Sequence, residues 1–280
     1  MDSLVSTDWL EGEQGAADLK LLDASWHLPD AGRNAAHEYA DAHIPGARFL
    51  DLGSLTDKTS PIDNTLPPPD QFATRMAELG ISNGDRVVVY DDSAVKSAAR
   101  AWFMLRLFGA RNVAILDGGL AKWKAEGRPL TRDVPACPAG HFTARHDVAD
   151  LRSKQAMLAN LRSGAEQVVD ARGPGRFTGA DPEPRPGIAG GHIPGSVNLP
   201  YTRLFDADGT YRDEAGIRAA LAEAGVDLPG RTVVTCGSGV TACVLAFAMD
   251  RIGKRNVAHY DGSWSEWGAD PSTPKATGSA

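Results

Sequence analysis

Thr232-Val233-Val234-Thr235-Cys236-Gly237-Ser238-Gly239-Val240-Thr241-Ala242-Cys243 reads as a buried strand that stops at a cysteine, a tight loop, and the start of a helix. The β-branched run through Thr235 is what a strand covered on both faces looks like. Two glycines let the backbone curl around the sulfur, so that successive N–H groups can converge on it as an anion nest. A helix from about Thr241 through Ala248 would add its positive end. A cysteine so placed titrates below its free value of about 8.5 and is a nucleophile at neutral pH. The alternative is an inert buried cysteine closing a core strand. Cysteine phosphatases share the layout but need an arginine six positions after the cysteine to bind phosphoryl oxygens. That position is Ala242, and no basic residue occurs between Cys236 and Met249. Phosphate chemistry is thereby disfavoured, and the cradle suits something smaller, such as one sulfur atom.

Working outward, the surroundings of this stretch occur twice. Leu21-Leu22-Asp23-Ala24 returns as Val168-Val169-Asp170-Ala171, and His43-Ile44-Pro45-Gly46 as His192-Ile193-Pro194-Gly195. Val88-Val89-Tyr90-Asp91 matches Val233-Val234-Thr235-Cys236, Arg111-Asn112-Val113-Ala114 matches Arg255-Asn256-Val257-Ala258, and Asp117-Gly118-Gly119 matches Asp261-Gly262-Ser263. Near-constant spacing over separate blocks signals a duplicated domain. Each half alternates short apolar strands (Arg86–Tyr90, Val113–Leu116; Thr232–Thr235, Val257–Tyr260) with helical patterns (Ser97–Phe108; Thr241–Ile252). The fold class is therefore α/β, with a mostly parallel sheet in each half flanked by helices. Ligands of such sheets bind beyond the strands' carboxyl ends, where Cys236 falls. The expected division is 1–130 for the first domain, with Asp91 in place of the cysteine, 131–150 for a linker, 151–270 for the second domain and 271–280 for a loose tail. Asp91 cannot carry sulfur, so the first half is expected to shape the site or to be purely structural.

Composition sets limits. The 280 residues carry a net charge of −7 without a basic run, which argues against nucleic acid as the main partner. No apolar run reaches membrane-spanning length, and Met1–Glu13 has no export-signal pattern. Three cysteines, Cys137, Cys236 and Cys243, show no disulfide or CxxC metal spacing, which fits a reducing cytoplasm. No metal or organic cofactor is expected. His43 and His192 are too far apart to show ligand spacing and are expected to fix turns. Trp102, Trp123, Trp264 and Trp267 are expected as packing anchors, the last two near a cleft. Cys243 is expected inside, and Cys137 lies in the linker with no role.

Gly175–Gly187 is rich in proline and glycine and reads as a restricted loop after the first strand of the second half. Arg176 and Arg185 within it are suited to grip a small carboxylate by paired hydrogen bonds. Surface pairing of either arginine with Asp181 or Glu183 is an equal alternative.

Together, the loop Cys236-Gly237-Ser238-Gly239-Val240-Thr241-Ala242, the two HIPG segments, Gly175-Arg176-Phe177 and Pro184-Arg185 resemble the two-domain sulfurtransferases of the rhodanese superfamily. The similarity spans about Leu4 to Gly268 and is strongest to the mercaptopyruvate subgroup. It implies two rhodanese-like domains, a persulfide-forming Cys236, and a substrate carboxylate held by Arg176 and Arg185. The sulfur donor would be 3-mercaptopyruvate and the acceptor thioredoxin, a small thiol or cyanide, with release of pyruvate. Gly237, Gly239, Val240 and Thr241 would line the substrate site, with Ser238 as a hydroxyl beside the thiol. Thiosulfate sulfurtransferases place basic residues just after the cysteine; Gly237 and Ser238 are neutral, so thiosulfate is expected to be the poorer donor. One departure stands out. The subgroup's acid and histidine, proposed to relay protons with the loop serine, align with Gly53 and Asn64, which cannot titrate. Two alternatives stay open: a thiosulfate:cyanide sulfurtransferase, and a persulfide carrier with little activity of its own.

Overall fold

The computed structural model describes residues 1–136, 138–145 and 148–279, apart from the Val148 side chain. Cys137 lies outside the described residues. The chain divides into two compact units. Unit 1 comprises Met1–Asp57, Leu66–His146 and Asp206–Tyr211, and unit 2 comprises Lys58–Thr65, Asp147–Phe205 and Arg212–Ala280. Each unit thus takes in a short segment from the other half of the sequence.

Unit 1 holds a five-stranded parallel sheet. Its strands are β1 (Leu4–Val5), β2 (Leu19–Asp23), β3 (Ala47–Phe49), β4 (Arg86–Tyr90) and β5 (Asn112–Leu116), in the order β1-β5-β4-β2-β3. Unit 2 repeats the plan with β6 (Leu151–Arg152), β7 (Gln167–Asp170), β8 (Val197–Asn198), β9 (Thr232–Thr235) and β10 (Val257–Tyr260), in the order β6-β10-β9-β7-β8. The central strands β4 and β9 are the two VV runs, flanked on both sides and buried, as continuous apolar strands must be. In register, Val88 pairs with Leu21 and Ala114, and Val233 with Val168 and Ala258. Helices Ala98–Leu107 and Ala242–Arg251 follow β4 and β9, within a residue or two of the sequence expectation.

The cores repeat as well. Leu21, Ile44, Val88, Ala114 and Trp123 pack together in unit 1. Val168, Ile193, Val233, Ala258 and Trp267 do so in unit 2. The HIPG histidines are structural in both. His43 Nδ1 bonds the Tyr39 carbonyl at 2.7 Å and its ring stacks on Tyr39 at 4.0 Å; His192 bonds the Phe177 carbonyl at 2.9 Å and stacks on Phe177 at 3.9 Å.

Two sequence expectations, the loose tail and the loop at Gly175–Phe177, need correction. Residues 271–279 are not loose. Trp267 Nε1 donates to the Pro274 carbonyl, His192 and Ala276 exchange two backbone bonds, and the Gly278 N–H donates to the Thr178 carbonyl. Composition misled because this segment is anchored by hydrogen bonds rather than apolar burial. The linker is likewise fastened over 138–145: Gly140 donates to the Ala77 carbonyl, and Asn83 exchanges bonds of 2.8 and 3.0 Å with Thr143. A side chain at Gly140 would meet the Ile81 backbone within 2.4–2.6 Å, so glycine is required there. Finally, Gly175-Arg176-Phe177 is not loop but part of a short helix, Pro174–Thr178. Pro174 opens it, where a missing N–H costs nothing.

Candidate active site

Cys236 follows β9 at the carboxyl edge of the unit 2 sheet. The loop after it is shaped by what its carbonyls bond to. The Cys236 carbonyl accepts from the Trp264 N–H at 2.9 Å. The Gly237 carbonyl accepts from the Ser265 N–H at 2.8 Å and its hydroxyl at 2.7 Å. The Gly239 carbonyl accepts from His259 Nε2 at 3.0 Å and from Cys243 Sγ at 3.3 Å. A trans peptide points its N–H opposite to its C=O. With three carbonyls turned toward β10 and the helix Ser263–Trp267, the N–H groups of Gly237, Ser238 and Val240 must face the other way. Among the described residues, these three amides and that of Thr241 have no protein acceptor. Gly239 makes the turn in the left-handed region at φ +80°. The loop therefore presents a row of uncommitted donors.

The thiol is 1% exposed, and Cys243 is wholly buried behind the loop. The Cys236 N–H donates to Ser263 Oγ at 3.3 Å, and that hydroxyl donates to the Tyr260 carbonyl at 2.9 Å. Ser263 holds this position at φ +49°, a conformation that costs a non-glycine residue on the order of 1 kcal/mol. Its counterpart in unit 1 is Gly119, at φ +58°. The serine accepts strain so that a hydroxyl can reach the cysteine amide. Sequence reading aligned the two residues without using the difference.

Both predicted arginines reach the loop. A β-carbon built on Gly237 would lie 3.0 Å from Arg176 Nη2 and 3.6 Å from Nη1. Arg185 Nη1 donates to Ser265 Oγ at 2.7 Å, and the same hydroxyl donates on to the Gly237 carbonyl. Two guanidinium groups therefore meet at one glycine, one directly and one through Ser265. Each also has a carboxylate neighbour. Arg176 bonds Glu183 at 2.5 and 3.2 Å, the pairing kept open above, and Arg185 Nε lies 3.6 Å from Asp63. Arg176 Nη1 and Arg185 Nη2 keep donors without a partner among the described residues.

Sequence reading missed Arg172. Its side chain is 1% exposed and bonds Asp170 (1%) and Glu183 (3%), while its guanidinium lies 4.4 Å from the Trp264 ring centre. Burial opposes its charge, and Asp170 and Glu183 outweigh that opposition. The Asp-Ala-Arg that begins at the last residue of β7 was the available signal, but a buried ion triad looks like a surface pair in one dimension. Tyr201 was also missed. Burial first, and then Cys236, push its phenol upward.

The matching loop of unit 1 is already filled. The Asp91 carboxylate accepts from the Ala98 N–H at 3.1 Å and the Ser97 hydroxyl at 3.2 Å. Burial pushes its carboxyl up to about 6. Of the relay positions, Gly53 belongs to unit 1 and Asn64 to unit 2. Asn64 has φ +61°, which asparagine tolerates well. No group of three or more His, Cys, Asp or Glu side chains among the described residues is placed to hold a metal. No helix among them is long and apolar enough to cross a membrane.

The rhodanese-like domain model matches twice, over residues 6–126 and 153–270. The 3-mercaptopyruvate sulfurtransferase of Mus musculus is 43% identical, over 95% of this chain and 91% of that protein. The thiosulfate sulfurtransferase of Cricetulus griseus is 42% identical, over the same shares. Among solved structures, SseA from Escherichia coli, a 3-mercaptopyruvate sulfotransferase with the rhodanese fold, is 37% identical. It superposes with a TM-score of 0.86, over 94% of this chain and 99% of that one. The chain belongs to the rhodanese family, with two rhodanese-like domains in tandem.

Proposed function

We propose that the chain moves sulfur from 3-mercaptopyruvate through a persulfide on Cys236. The Cys236 thiolate attacks the donor sulfur, the donor's carbon–sulfur bond breaks, and its electron pair leaves as the enolate of pyruvate. The donor's thiol proton stays on the persulfide or passes to the enolate carbon. The observation that carries this reading is the convergence at Gly237: a row of uncommitted amides beside Cys236, and two guanidinium groups at its first glycine. The amides of Gly237, Ser238, Val240 and Thr241 would stabilise the anionic sulfur, with Gly239 providing the turn. Arg176 and Arg185 would hold the donor carboxylate through their spare donors. Ser238, Tyr201 or a water would deliver the enolate proton, replacing the absent histidine and acid.

A second thiol then removes the outer sulfur by exchange, leaving Cys236 as thiolate. Thioredoxin or a small thiol fits this step, and free Cys236 and Cys243 suit a reducing compartment such as the cytoplasm. A thiosulfate preference is the second reading, since a thiosulfate sulfurtransferase is among the relatives. The neutral Gly237 and Ser238 weigh against it.

Incubation with each donor followed by intact mass tests both readings. One sulfur added by 3-mercaptopyruvate, and absent in Cys236→Ser, is the expected result. Pyruvate release by Cys236→Ser would overturn the reading. Turnover with a simple thiol acceptor separates an enzyme from a carrier.

A further inference from the structure

Unit 1 contains a basin of about 650 Å³ whose lining includes Asn83, Gly84, Ala110, Thr143 and three arginines, Arg106, Arg111 and Arg145. In a chain of net charge −7, three guanidinium groups here have no carboxylate partner among the described residues. Most other arginines of the protein do, Arg86, Arg128, Arg152 and Arg172 among them. Three exposed cations lining one hollow give it a positive potential that favours an anion.

The walls are built rather than loose. Arg106 Nη1 donates to the Arg111 carbonyl at 3.0 Å, which holds one guanidinium against the rim. The Arg145 N–H donates to the Phe108 carbonyl at 2.9 Å, and Asn83 and Thr143 exchange their two bonds. Gly109, at φ +105°, turns the chain beneath Arg145, whose β-carbon would lie 3.6 Å from a side chain there.

We infer that this basin binds a compact oligophosphate. The lining has no aromatic ring to stack a base. What it offers is planar, fork-shaped donors, which match phosphoryl oxygens and are delivered from two stretches of chain, residues 106–111 and Arg145. Its volume exceeds a single phosphate and lies within the usual range of small-molecule sites.

The test is calorimetric titration of the full chain with tripolyphosphate, at low and then near-physiological ionic strength. Saturable binding that weakens as salt rises is expected. Arg111→Gln and Arg145→Gln should each weaken it about tenfold, with the thermal midpoint unchanged. Arg106→Gln should do the same; because Arg106 also braces the rim, the other two variants decide. Inorganic phosphate should bind more weakly than tripolyphosphate, and ATP no more tightly. Absence of binding by the unmodified protein would overturn the inference. So would indifference to Arg111→Gln and Arg145→Gln, equal affinity for inorganic phosphate, or a tenfold preference for the nucleotide.

Discussion

The Arg176 guanidinium rests against Gly237, with Nη2 3.0 Å from where a β-carbon would stand. A methyl group there would meet the far end of a flexible side chain, so the fold would lose little, within about 1 kcal/mol. The guanidinium would have to move. Gly237→Ala is therefore expected to raise KM for 3-mercaptopyruvate about tenfold, and to change KM for thiosulfate much less. Steady-state kinetics with both donors check this, and an equal effect on the two would remove Arg176 from carboxylate binding.

Arg172 holds two buried carboxylates, and replacing it strips Asp170 of its cation while Glu183 keeps only Arg176. Arg172→Gln should destabilise unit 2 by about 3–5 kcal/mol, because Asp170 stays buried without its cation. Urea unfolding measures it. A loss below about 1 kcal/mol would mean that water or Arg176 takes over the role of Arg172.

The strands, their order of appearance, the duplication and the cysteine loop could be read from the sequence because each follows from local pattern. β-branched runs, Asp-Gly turns and paired glycines carry their conformation with them. Arg176 and Arg185 were legible as residue types, but their meeting at Gly237 depends on Ser265, 80 residues beyond Arg185. The buried state of Arg172 and the positive φ of Ser263 arise from packing between segments distant in the chain. The same holds for the exchange of residues 58–65 and 206–211 between units. Loops and tail were misread for one reason: proline- and glycine-rich segments can be held by backbone hydrogen bonds, which leave no hydrophobic period.

Asp91 makes unit 1 sensitive to pH. Its carboxyl, raised to about 6 chiefly by burial and by nearby Asp23, is opposed by Lys96 and by the Ala98 and Ser97 donors. Because the folded value lies above the unfolded one, the folded chain holds the extra proton between about pH 4 and 6. Stability from this group is present at low pH and lost as pH rises through 6. Asp91→Asn keeps an acceptor for the Ala98 N–H and cannot ionise. Relative to the parent, the variant should gain up to about 3 kcal/mol between pH 4 and pH 7. Asp23, whose carboxyl is also raised by burial, is present in both proteins. Parallel stability curves across that range would show that Asp91 is ionised throughout.

Ser263 separates stability from activity. At φ +49° it is strained, and its hydroxyl links the Tyr260 carbonyl to the Cys236 N–H. Ser263→Gly relieves the strain and deletes both bonds, effects of about 1 kcal/mol each way, so the unfolding free energy should move by no more than about 1 kcal/mol. Ser263→Ala keeps the strain and loses the bonds, so it should be the less stable of the two by about 1 kcal/mol. Both variants free the Cys236 amide from its acceptor. If that bond sets the position of the thiol, both should lose about tenfold or more in kcat with 3-mercaptopyruvate, whatever their stability. A variant that gains stability while keeping full kcat would show that the hydroxyl serves the fold and leaves the reaction untouched.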